Sequence, residues 1–68
     1  KQDFKIAVSD LNTYIKFDDN NAEVYMLRGI ANYHLNNKPV ACNDLQKAAE
    51  LGKTLAEHLL KRYCVVKP

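Results

Sequence analysis

Two cysteines, two histidines, a pair of adjacent aspartates and one arginine beside a glycine are the side chains of this 68-residue chain from which chemistry could be built. Cys42 and Cys64 stand 22 positions apart and form no CxxC pair. Neither His34 nor His58 has a carboxylate or thiol at ligand spacing, so local sequence assembles no zinc donor set. Free thiols are the expected state of the cysteines. A bridge is the alternative, open if antiparallel helices bring the two Cα atoms within ~7 Å. Asp18 and Asp19 lack the further carboxylates of a calcium loop, and with Asn20 and Asn21 they form a run whose short side chains bond nearby backbone and favour a turn. No Ser, Cys or Lys has a base at a recognisable spacing. The expectation is therefore a chain that is no enzyme and holds no metal or cofactor. Arg28 is expected to lay its stem on apolar surface and reach an acid of a neighbouring helix.

The elements that must carry these residues follow from hydrophobic spacing. Phe4, Ala7, Val8, Leu11, Tyr14 and Ile15 recur at steps of three and four, which predicts a helix over 3–17 with Asp3 as its cap. From Ala22 to Leu35 apolar residues wrap most of the way round, so this second helix, capped by Asn21, must be covered on two or more sides. Gly29 in its middle costs ~1 kcal/mol relative to Ala and needs a packing reason, for which Ala41 is the natural partner. A third helix, Pro39 to Glu50, should bury Val40, Ala41, Leu45, Ala48 and Ala49, keep Asn43, Asp44, Gln46 and Lys47 mostly outside, and stop at a left-handed Gly52. Thr54 and Glu57 read as a capping box for a fourth helix over 54–66 that points Leu55, Ala56, Leu59, Leu60, Tyr63 and Cys64 inward.

Composition limits what such an object can be. Sixty-eight residues make one small domain with little room for a deep active site. The net charge is +2, with ten basic residues spread among eight acids. That is no footprint for nucleic acid, and no apolar stretch approaches the ~20 residues of a membrane span.

The helices also repeat. At an offset of 34 residues Ala7 falls on Ala41, Asp10 on Asp44, Leu11 on Leu45, Ala22 on Ala56 and Glu23 on Glu57, and a fixed period of this size is characteristic of solenoids. With Tyr25, Arg28-Gly29, Tyr33, Ala41, Leu45 and Ala48 at this period, the chain resembles the tetratricopeptide repeat family, including its Sel1-like style. Asn32, where the family usually has Tyr, and Gly52-Lys53, in place of its turn proline, depart from the pattern. The resemblance implies an all-α, right-handed solenoid of antiparallel helix pairs: 3–17 the second helix of an incomplete repeat, 22–51 a complete repeat, 54–66 a capping or next-repeat helix. It also implies a non-enzymatic module whose concave face, here Glu23, Met26, Leu27, Ile30, Tyr33 and His34, binds a peptide or partner protein. The rival expectation is a capping segment of a longer solenoid, with no ligand of its own; a small helical nucleic-acid binder is a third. The chain opens on Lys1 with a repeat half finished, so it is expected to be a fragment. Phe4, Val8, Leu11 and Ile15 would then lie partly open and support self-association as a two-fold dimer.

Overall fold

A computed structural model describes residues 3–64, which form four helices and no strand: α1 (Phe4–Phe17), α2 (Ala22–His34), α3 (Lys38–Glu50) and α4 (Thr54–Tyr63). The expected all-α class is present. Asp3 accepts hydrogen bonds from the backbone N–H groups of Lys5 and Ile6, and Asn21 accepts one from that of Val24. Each cap satisfies donors that a first helical turn leaves without partners.

α2 and α3 end in the same way. Asn36 (φ 63°) and Gly52 (φ 104°) are left-handed. The N–H of Asn36 donates to the Tyr33 carbonyl and that of Asn37 to the Asn32 carbonyl, while Gly52 donates to Ala49 and Lys53 to Ala48. This pair of bonds is the Schellman motif, and it occurs twice. It also explains a correction: the Thr54–Glu57 capping box does not form. Lys53 is held as the second residue beyond α3 by its bond to Ala48 and is at the same time the N-cap of α4. Thr54 is thereby already the first helical residue, one place too far along to cap. The expected end of this helix near Val65 or Val66 lies outside the described residues.

Consecutive helices run antiparallel. The Phe4 ring stacks on His34 with centroids 4.5 Å apart, and at the other end of α1 the Tyr14 hydroxyl accepts from the Asn21 side chain at 3.4 Å. Helices pack chiefly on their sequence neighbours: α1 on α2, α2 on α3, α3 on α4. The core is a cluster of Tyr25, Met26, Leu45, Ala48 and Ala56, with Ile15, Ile30, Leu59 and Leu60 against it. Ala41, Ala48 and Ala56 are 0% exposed, and no large side chain among the described residues is completely enclosed. Small residues thus set the distance between helices. Gly29 is the tightest case: a Cβ there would stand 3.0 Å from Leu45 Cγ and 3.1 Å from the Ala41 carbonyl oxygen. The expected approach of Gly29 to Ala41 is present, with Leu45 as its third member.

Further expectations are corrected. Val40, Leu55, Tyr14 and Tyr63, assigned inward, are exposed, and Asp44, assigned outward, is only 5% exposed. The free thiols are absent, because Cys42 and Cys64 form a disulfide across the start of α3 and the end of α4, with Cα atoms 5.9 Å apart. That spacing is well within bridging range.

Candidate functional site

The junction of α1, α2 and α3 is organised by Arg28. Its guanidinium forks onto Asp44, Nε donating to Oδ2 at 2.9 Å and one terminal nitrogen to Oδ1 at 2.8 Å, and its other terminal nitrogen donates to Asn12 Oδ1 at 2.8 Å. Bidentate guanidinium–carboxylate pairs are among the strongest and most directional of protein hydrogen bonds. The bonds to Asp44 raise the Arg28 pKa above the ordinary arginine value, outweighing the opposing effect of burial. Tyr25 lies beneath the guanidinium at 5.5 Å, and the buried Asn32 donates its amide to the Arg28 carbonyl at 3.1 Å. This network is structural. Its carboxylate is nearly closed to solvent and three of the guanidinium N–H groups are engaged within the molecule, so Arg28 reaches an acid of a neighbouring helix as expected.

The described residues line two concave surfaces. The first is a cleft of about 200 Å³ between α2 and α4, walled by Ile30, Tyr33, His34, Leu59 and Tyr63 and floored by Leu45 of α3. Tyr33 and Tyr63 pack against each other as a tilted pair with ring centroids 5.1 Å apart, His34 meets Tyr33 edge-on at 6.2 Å, and Lys38 holds its ammonium over Tyr33 at 5.9 Å. Pockets that enclose a small-molecule ligand run to roughly 300–1,000 Å³. This cleft is smaller and nearly all apolar, a size suited to one or two side chains of a polypeptide. The second surface is a shallower groove of about 400 Å³ between α1 and α2, walled by Phe4, Ala7, Asp10 and Leu11 on one side and Leu27, Ile30 and Ala31 on the other.

The six residues expected to bind a partner are therefore divided. Ile30, Tyr33 and His34 line the cleft, and Leu27 opens into the groove beside Ile30. Glu23 is engaged at the molecule's edge by an ion pair from Lys53 at 2.6 Å. Met26 is corrected: at 4% exposed it belongs to the core and offers nothing to a partner. It faces inward because α2 is covered by α1 on one side and α3 on the other.

The expected self-association face of α1 is likewise divided. Phe4 and Leu11 line the groove, Val8 is half-buried, and Ile15 packs against the core. The large apolar side chains of α1 that stand open are instead Ile6, Tyr14 and Phe17. Sequence reasoning missed Leu45, Leu59 and Tyr63 as cleft residues and Asp10 as a groove residue. The 34-residue offset carried the signal for two of them: Asp10 answers to Asp44, and Tyr63 is a large residue where the period places the small Gly29.

Among the described residues no three of His, Cys, Asp and Glu come together as a metal site, and no helix is long and apolar enough to cross a membrane. No family model, no curated protein and no solved structure matches the chain.

Proposed function

We propose that the chain is a non-enzymatic interaction module, an array of antiparallel helix pairs of tetratricopeptide type, whose α2–α4 cleft receives apolar or aromatic side chains of a peptide or partner protein. The observation that carries this reading is the cleft itself: three rings and three aliphatic side chains converge on an accessible hollow held by helices that are braced elsewhere. Aromatic residues concentrated in a concave apolar patch supply large contact area at small entropic cost, which is the composition of interaction hot spots. The repeat offset, with Gly29 against Ala41 and Leu45 at its centre, supports the helix-pair solenoid. A capping segment with no ligand is the second reading, favoured by the exposed polar face of α4, Glu57, His58, Lys61 and Arg62.

A peptide library displayed on phage and selected on the intact chain separates the two. The interaction reading expects binders anchored by an apolar or aromatic residue that the Tyr63→Ser variant no longer retains while melting close to the parent. Selection of no binder, or of binders indifferent to Tyr63→Ser, would sink it in favour of the capping segment.

A further inference from the structure

Among the described residues, the groove between α1 and α2 is an unpartnered copy of a contact that the molecule makes once in full. On α3, Ala41, Asp44 and Leu45 form the face that packs on α2, and all three are buried. What they receive is known atom by atom: Asp44 takes the fork of Arg28, and Ala41 and Leu45 take the bare backbone of Gly29. On α1, Ala7, Asp10 and Leu11 stand 34 residues earlier with the same side chains. There they line an open groove, and Asp10 is an exposed carboxylate among otherwise apolar walls.

We propose that this groove docks a helix of a partner polypeptide carrying arginine followed directly by glycine, the guanidinium forking onto Asp10 and the glycine lying against Ala7 and Leu11. The inference rests on reading α1 and α3 as equivalent members of a repeat, and it adds the chemistry of a partner at a surface distinct from the α2–α4 cleft. One difference between the copies narrows the partner further. Ala48 shares the core with Tyr25, but its counterpart on α1 is Tyr14. Bulk has passed to the α1 side, so the docked helix needs a small residue where α2 has Tyr25, three places before the arginine.

A second copy of this chain is the poorer occupant on the same grounds. Its α4 offers Arg62, 34 residues after Arg28, but follows it with Tyr63 where the glycine must be. At the matching contact even a single Cβ would meet neighbours at 3.0–3.1 Å.

The probe is a synthetic peptide of residues 21–35 with Tyr25→Ala, titrated into the isotopically labelled chain and followed by NMR. Amide shifts should move at Ala7, Asp10 and Leu11. Because a charge-assisted bidentate pair is at stake, affinity should fall about tenfold or more when the chain carries Asp10→Asn or the peptide carries Arg28→Ala. The peptide retaining Tyr25 should bind more weakly. Asp10 is exposed, and an unchanged melting temperature of Asp10→Asn would separate lost docking from lost fold. A peptide that leaves α1 unmoved at millimolar concentration, or binds Asp10→Asn equally well, would overturn the proposal. Concentration-dependent sedimentation abolished by Arg62→Ala would overturn it too, by giving the groove to a second copy. None of these outcomes depends on Tyr63→Ser and the cleft, so the two readings can fail separately.

Discussion

Arg28 and Asp44 show how little of a side chain's task is visible in its type. The periodicity placed Asp44 with the outward polar residues of α3, yet its side chain is 6% exposed because the guanidinium of Arg28 draws it in. A helical wheel assigns aspartate to solvent by default and cannot weigh a partner 16 residues away. Removing one member of a buried pair leaves the other charge uncompensated, so Arg28→Ala should cost about 3 kcal/mol. That is a large share of the ~3–10 kcal/mol expected of a chain this long, and urea denaturation would measure it. Arginine's folded pKa is raised, so the stability drawn from its charge is complete below the ordinary arginine value and lost only above it. Stability measured between about pH 5 and 9 should carry no inflection from Arg28 itself. Gly29 was legible, since a glycine in mid-helix demands a close neighbour. The sign of Gly29→Ala is a separate matter. Alanine gains ~1 kcal/mol in helix propensity, but its Cβ meets a buried leucine branch point and a backbone oxygen, neither free to give way. Overpacking should prevail, with a net loss of about 1 kcal/mol by the same denaturation experiment.

At the scale of elements, four helices and three turns were readable because apolar steps of three and four are strong in each helix and broken by Asp, Asn or Gly between them. The joints were less readable. Thr54 and Glu57 have the types and spacing of a capping box, but the bond from Lys53 to Ala48 fixes where α3 stops and so where α4 starts. A local pattern lost to its neighbour's termination. Two left-handed residues close these joints, one a glycine and one an asparagine, and they predict opposite responses. A Cβ added at Gly52 would meet nothing within 4 Å, so the cost of Gly52→Ala, about 1 kcal/mol, is purely conformational. Asn36→Gly removes the corresponding strain at the end of α2 and should stabilise by a few tenths to 1 kcal/mol. In a domain of this size 1 kcal/mol corresponds to roughly 4–8 °C. Calorimetry should find Gly52→Ala melting lower and Asn36→Gly higher than the parent.

Across the whole molecule, the helices were legible but the bridge between two of them was not. Helical spacing reports which face of α4 turns inward and is silent on how far along α3 the last turn of α4 lies. The Cys42–Cys64 bond resolves that register. It ties down α4, which, like α1 at the other end, packs chiefly on a single neighbour. Closing a loop of 22 residues should contribute about 3 kcal/mol, so the reduced chain, or one with both cysteines replaced by Ser, should melt well below the oxidised one. The bond also has a mechanical meaning. A chain pulled by its two ends carries tension through every residue between them, except where a covalent shortcut takes the load. With Cys42 and Cys64 joined, the tension path leaves α3 in its second turn and re-enters beyond α4, and the helical segments between are shielded from force even while the rest unravels. In an optical trap, the oxidised molecule should extend on unfolding by about 70 Å less than the reduced one, at ~3.3–3.6 Å per residue bypassed. Equal extensions in the two redox states would mean that both molecules bear load along the whole chain.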